Sequence, residues 1–423
     1  MPKVPSLRLG IRENHVNIRM RTYPLVTLGW VIATTTFGVD MTDPEPIRFL
    51  DDEGRYAPSA TAAAFADELE ALDLDDLKQW YRDMAAVRAF DTECTHLQRQ
   101  GQLALWAPSV GQEGGQVGIA HAAQAEDHLF PTYREHTVAY VRGVDLVGIA
   151  GQFRGVTHGG WDVTDPSNGN CHLYTLVLGA QAQHAAGFAM GQVLDAKRKV
   201  GSDSLAPGEA GVPTDAATIV FYGDGTTSEG DVSESMVFAS SFQSPLLHVM
   251  QNNNWAISVP VARQSRTPIY RRALGFGLRA VQIDGNDPLA GYAVAKRFLA
   301  EARAGGGPGY IEALTYRMGA HTTSDDPTRY RESDELESWR RRDPIVRFEG
   351  YLRERGVGGD FFKEAAQQAD EIAKTAREGI LTMPEPGPDA MFEHVYSEPH
   401  PLMDAQREWL EDYEAAMNEG GQA

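Results

Sequence analysis

A parallel α/β sheet flanked by helices, with a helical C-terminal extension, is the fold class this sequence predicts. Three observations predict it. Two short apolar runs, Ala217–Tyr222 and Leu246–Met250, are bounded by polar or turn residues, as fully buried strands are. Between them Ser233–Gln243 has helical length, with Met236, Val237 and Phe238 as its apolar residues, so the three pieces make a right-handed parallel crossover. Strand and helix then alternate again: residues 281–288 give a strand and turn, Leu289–Ala304 a helix closed by Gly305-Gly306-Gly307, and Tyr310–Tyr316 another strand.

Taken in order, residues 1–72 are expected to form an extended or disordered N-terminal segment. Residues 1–40 carry Lys3, Arg8, Arg12, Arg19 and Arg21 against few acids. Their apolar patch, Leu25–Val39, is too short and too polar to span a bilayer. Such a stretch fits a targeting signal or an extension ahead of Met41. Residues 41–72 hold Pro44, Pro46, Pro58 and an alanine-rich patch, a loose lead-in. The α/β domain is expected over 73–335. Asp75–Asp76 are N-cap candidates for its first helix, where Leu77, Trp80, Tyr81, Met84, Val87, Cys94 and Leu97 form one apolar stripe that Gly101 ends. Residues 199–215 form a polar Gly/Pro/Ser loop. The extension covers 336–423. Asp343-Pro344 opens a helix with an acidic cap and proline at its first position, Asp360 opens another to about Gly379, and an acidic helix closes the chain.

Composition narrows the partners. A net charge of −21 argues against nucleic acid and against an anionic membrane surface. Cys94 and Cys171 form no CxxC pair and no HExxH occurs, which leaves no zinc or redox motif and points to a reduced, cytoplasmic chain.

Open parallel sheets bind ligands at the carboxyl ends of their strands. Those ends read Gly223-Asp224-Gly225 and Asn252-Asn253-Asn254. Gly223 and Gly225 allow a tight turn and close approach to a ligand, and the amides after Gly225 lead toward a helix N-terminus that favours an anion. Asp224 and Asn253 offer hard oxygen ligands suited to Mg²⁺ or Ca²⁺, and Mg²⁺ is commonly shared with substrate phosphates. Taken singly, each motif also fits a plain turn or loop cap. Together they describe a metal-bridged diphosphate site. Arg134, after another strand end in Tyr133-Arg134, carries a fork matched to phosphate oxygens. The polar, aperiodic stretch Arg317–Arg331 follows a strand, as active-site loops do. Leu105 and Trp106 either line a substrate pocket or pack in the core.

The spacing and flanks of these motifs, GDGTTSEGD and QNNNWAIS, resemble the alpha subunits of the thiamine diphosphate-dependent decarboxylating component of 2-oxo acid dehydrogenase complexes, over roughly Leu77 to Glu411. The resemblance implies a thiamine diphosphate-binding fold. It implies a metal, Mg²⁺, held by Asp224, the Asn253 side chain and the Trp255 carbonyl. The amides of Gly225 and Thr226, with Tyr133 and Arg134, would meet the diphosphate. Leu176 and Leu178 would meet the aminopyrimidine through their main chains, and Gly111 and Glu113 would open a helix beneath the cofactor. His158 and His321 match family histidines near the thiamine, and His321, with an imidazole that titrates near neutral pH, is the candidate for proton transfer. Arg317, Asp325 and Tyr330 would hold the loop that carries it. Thr322 stands where kinase-regulated relatives have serine, and Ala180 stands where a threonine accompanies the potassium-binding glutamine, here Gln181.

No motif supplies the glutamate that activates thiamine. The resemblance assigns it to a separate beta subunit, so the expected assembly is an α₂β₂ heterotetramer on a lipoyl acyltransferase core. HTTSDDPTRYR resembles the branched-chain members most. Pyruvate or acetoin dehydrogenation, a transketolase-like transferase half and a non-catalytic scaffold are the rival readings.

Overall fold

The computed structural model describes residues 43–155, 160–201, 211–384, 387–393 and 395–420. His158, most of the 199–215 loop and the basic stretch 1–40 lie outside the described residues. Met1–Asp43 and Pro44–Ala423 are separate units, and only the second is described below.

The strands are β1 (His128–Phe130), β2 (Thr218–Gly223), β3 (Leu246–Asn252), a two-stranded hairpin of β4 (Trp255–Ala256) and β5 (Val259–Pro260), β6 (Arg279–Asp284) and β7 (Gly309–Leu314). Five of them pair in parallel in the order β1-β2-β3-β7-β6, with the hairpin apart. Alternate side chains enter opposite cores. Ile219, Phe221, Leu247, Val249, Ile311 and Ala313 face one, while Val220, Tyr222, Leu246, Met250 and Tyr310 face the other. Both faces are covered, which is why these strands are continuous apolar runs in sequence.

The helices are α1 (Leu74–Arg99), α2 (Glu113–Ala122), α3 (His136–Val141), α4 (Leu146–Arg154), α5 (Ala180–Lys199), α6 (Gly230–Phe242), α7 (Val261–Gln264), α8 (Tyr270–Gly275), α9 (Pro288–Glu301), α10 (Ser333–Arg340), α11 (Pro344–Glu354), α12 (Gly359–Thr382) and α13 (Pro401–Gly420). The first core takes Trp80 of α1, Val117 of α2, Leu289 of α9 and Phe348 of α11; the second takes α5, α6 and α8. A third cluster joins α1, α4 and α12 through Phe90, Cys94, Ile149, Phe153 and Ile380. Asp343 caps α11 as its sequence predicts, accepting the Ile345 N–H at 2.9 Å. For α1 the cap is Asp73, locked by a reciprocal bond with Asp76.

Three features depart from expectation. Residues 44–72 are not a loose lead-in. Ile47 pairs in parallel with Ile283 at the β6 edge, the Phe49 and Leu50 N–H groups donate to Asp287 Oδ2 at 2.6 and 2.8 Å, and Ala60–Leu69 coil as a 3₁₀ helix. The prolines masked this order, while Ile47, Phe49 and Leu50 are buried. Next, α6 begins earlier than expected, at Gly230 rather than Ser233, straight after a 3₁₀ turn over Asp224–Ser228. Finally, the expected boundary between 335 and 336 falls inside α10.

Candidate active site

Four chain segments leave the carboxyl ends of β1, β2, β3 and β7 and converge on one cleft. Its lining includes Tyr133, Arg134, Leu178, Asp224, Gly225, Thr226, Asn253, Trp255, Arg317 and His321. Nine of the eleven residues assigned from sequence to catalysis, cofactor or metal therefore meet in one place. Leu176 does not line the cleft and is exposed, and His158 lies outside the described residues.

Asp224 is buried at the end of β2, and burial raises its carboxyl above the usual range. The Gln264 amide, backbone N–H groups including that of Asn253, and the Arg317 charge act the other way. Gln264 Nε2 donates to Asp224 Oδ2 at 2.6 Å. Asn253 is held by Gln112, whose Oε1 accepts its Nδ2 at 2.8 Å. That pairing turns Asn253 Oδ1 to the other side, where it accepts the Trp255 N–H at 3.2 Å. The Trp255 carbonyl accepts Arg317 Nη1 at 3.0 Å, and a carbonyl keeps a second lone pair.

The glycines do different work from that expected. Gly223 has ordinary extended backbone, and a Cβ there would meet nothing closer than 4.0 Å. Gly225 is needed for close approach, since a Cβ there would come within 2.8 Å of the Ala256 side chain. At the start of α2, Gly111 has φ +97°, and a Cβ would lie 2.6 Å from the Tyr316 carbonyl. Glu113 accepts the Gly111 N–H at 2.9 Å and pairs with Arg88, which also reaches Asp343 at 2.9 Å.

The basic side is built from Arg134 and Arg317. Arg134 donates to the Pro108 carbonyl and, at 2.8 Å, to the His321 carbonyl. Arg317 Nη2 donates to the Ile257 carbonyl at 2.7 Å and to the Tyr330 hydroxyl at 2.9 Å. Asp325 accepts the His321 N–H at 2.8 Å and the Tyr330 hydroxyl at 2.5 Å. Arg317, Asp325 and Tyr330 thus fix the loop that presents His321. The imidazole is not the near-neutral titrating group its type predicts: burial, then Arg134 and Arg317, push it down to about 3.

Sequence reasoning missed a polar chain in the cleft wall, where Thr132, Glu135 and Gln251 line the cleft. Gln116 Nε2 donates to Gln251 Oε1 at 2.8 Å, and Gln251 Nε2 donates to buried Glu135 at 2.5 Å. Glu135 also accepts the Thr132 N–H and hydroxyl, both at 2.6 Å. Only the adjacency of Glu135 to Arg134 gave any signal. Trp106 settles as core: it is fully buried, stacks on His136 at 4.6 Å and donates to Asp91 at 2.5 Å. Gln181 Nε2 donates to the Phe221 carbonyl at 3.1 Å, and its buried Oε1 has no partner among the described residues.

The sequence profile of the dehydrogenase E1 component family matches residues 81–381. This chain belongs to that family. Among curated relatives, the 3-methyl-2-oxobutanoate dehydrogenase subunit alpha of Mycobacterium tuberculosis is 40% identical over 370 residues, 87% of this chain and 94% of the relative. The pyruvate dehydrogenase E1 component subunit alpha of Acholeplasma laidlawii is 33% identical over 345 residues, 80% and 94% of the two chains. The corresponding Bacillus cereus subunit is 35% identical over 335 residues, 78% and 83%. E1 membership implies thiamine diphosphate as cofactor. The residues present fit a diphosphate: Gly225 and Thr226 line the cleft and two guanidinium groups border it. Among the described residues no cluster of three or more His, Cys, Asp or Glu could hold a metal. The oxygen set here is mixed instead, one carboxylate, one amide and one backbone carbonyl. No helix among the described residues is long and apolar enough to cross a membrane.

Proposed function

We propose that this chain is the alpha subunit of a cytoplasmic branched-chain 2-oxo acid dehydrogenase. It serves the decarboxylation of a 2-oxo acid on thiamine diphosphate and the transfer of the acyl group to a lipoyl arm. One observation carries the reading: Arg134, Asp224, Asn253 and His321, from four separate strand ends, line a single cleft. The 40% relative, named for 3-methyl-2-oxobutanoate, favours a branched substrate. Pyruvate is the second reading, favoured by the relatives at 33% and 35%.

Asp224, Asn253 Oδ1 and the Trp255 carbonyl hold Mg²⁺, a hard ion suited to oxygen ligands and to sharing with phosphate. The Gly225 and Thr226 amides, Tyr133 and Arg134 bind the diphosphate. The main chains of Leu176 and Leu178 orient the aminopyrimidine, and His158 serves the thiamine. When bound, the thiazolium supplies the electron sink that loss of CO₂ requires. His321 keeps its proton on Nε2, because both guanidinium groups face Nδ1, and offers that proton during transfer to the lipoyl arm. The activating glutamate comes from a beta subunit in a heterotetramer, which docks on a lipoyl acyltransferase core. Two buried, unpaired cysteines support a reducing compartment.

The test is co-expression with the neighbouring beta-type chain and assay with thiamine diphosphate and Mg²⁺ on 3-methyl-2-oxobutanoate and pyruvate in parallel. Preference for the branched acid, lost in Asp224→Ala, is the expected result. Preference for pyruvate keeps the mechanism and replaces the substrate. A folded complex that binds thiamine diphosphate yet turns over neither acid overturns the reading.

A further inference from the structure

Gln264 reaches the site from α7, forty residues beyond Asp224 in sequence, and neither motif includes it. Its amide orientation is fixed by its partners. Nε2 donates to Asp224 Oδ2 at 2.6 Å and to the Val259 carbonyl at 3.4 Å, both acceptors. Oε1 is therefore turned away from them. It is buried, and among the described residues no donor reaches it. The α7 end is tied to the turn that follows Asp224. Arg272 Nη2 donates to the Gln264 carbonyl at 3.2 Å, and its Nη1 donates to the Thr227 carbonyl at 3.1 Å. The Gln264 side chain is thus held against Asp224 from both directions.

The geometry points to Gln264 as a positioning residue that makes Asp224 a one-oxygen ligand and thereby selects Mg²⁺ over Ca²⁺. This rests on the proposal that Asp224 binds the metal. The Gln264 amide engages Oδ2, so a cation chelating both oxygens would have to share Oδ2 with that donor, whereas Oδ1 accepts no side-chain donor among the described residues. Mg²⁺ takes single oxygens in a strict octahedron, whereas Ca²⁺ accepts both oxygens of one carboxylate in a larger shell. A donor on the outer oxygen also fixes the direction of the inner one, the usual work of a residue one step removed from a metal. The orphaned Oε1 fits the same role. Diphosphate brings acceptors only, but Mg²⁺ usually retains water, and a metal-bound water supplies the donor that Oε1 lacks.

The test uses the complex with the beta-type chain and titrates thiamine diphosphate by calorimetry with Mg²⁺ or with Ca²⁺. Gln264→Met keeps the length of the side chain and removes both polar atoms, and the melting temperature checks that it folds. Affinity with Mg²⁺ is expected to fall by roughly 10- to 100-fold, while affinity with Ca²⁺ is retained or rises. Gln264→Leu, if Met disturbs the fold, should give the same split. Equal losses with both ions, or no loss with either, overturn the selection role, provided Asp224→Ala abolishes metal-dependent binding. If Asp224→Ala leaves that binding intact, the metal assignment itself fails, and the inference falls with it.

Discussion

Two guanidinium groups decide the state of His321. Arg134 Nη2 and Arg317 Nη1 lie 3.3 and 3.4 Å from its Nδ1, so Nδ1 can only accept and the ring proton sits on Nε2. Burial and these two charges bring its pKa to about 3, and Asp325 offsets only part of that. At neutral pH the ring is therefore a neutral donor. Histidine NMR of the free chain should show no His321 protonation from pH 8 to pH 5. Added Mg²⁺ and thiamine diphosphate should raise its pKa, because bound phosphate offsets the charges that repel the proton. A midpoint near 6.5 in the free chain would contradict this account. Stability carries the same sign. The unfolded ring protonates at about 6.5 and the folded one at about 3, so the folded state loses ground as pH falls through that window. His321→Asn should flatten part of that loss in a denaturation series, leaving the part due to His128, His136, His172 and His248, which burial also lowers. None of this was legible in the loop sequence. Arg134 reaches His321 across 187 residues of chain.

At the scale of elements, the site depends on how closely α2 lies against α9, since α2 carries Glu113 and Gln116, which hold Gly111 and the cleft residue Gln251. A Cβ on Gly118 would fall 2.1 Å from the Pro288 carbonyl and 2.8 Å from the Tyr292 nitrogen. Opposite, a Cβ on Gly291 would meet the Gly115 carbonyl at 3.0 Å. In a free helix, glycine to alanine gains up to about 1 kcal/mol. Here the backbone of the neighbouring helix occupies the space, and overpacking costs about 1–3 kcal/mol. Gly118→Ala should therefore lower stability in urea melts, opposite to helix propensity. A stabilised variant would mean that the two helices can part without cost. The sequence made β2, α6 and β3 legible because buried parallel strands are apolar on both faces and end in turn residues. It made Asp224 and Asn253 legible because they follow such strands directly. Gln112 and Gln264 were not, because each meets its partner through packing, and neither residue type marks a site on its own. Residues 44–72 were misread for a related reason: their order depends on Asp287 and the β6 edge, more than 200 residues away.

For the molecule as a whole, the mouth of the cleft is apolar and uncovered. Leu178 and Ile257 both line the cleft, yet are 40% and 54% exposed. Leu176, Val177 and Val259 extend the exposed patch. Ile257 has φ +54°, a strained conformation for a β-branched residue, held by the Arg317 bond to its carbonyl. Apolar groups kept at a rim under strain make sense if a second chain covers them, as an alpha subunit of this family requires. Hydrogen exchange can decide it. Amides at 173–178 and 256–259 should exchange rapidly in the chain alone and become protected in the complex with the beta-type subunit. Protection should appear there without thiamine diphosphate if the partner itself forms the cover. If these amides stay fast in a stable complex while others slow, the partner sits elsewhere.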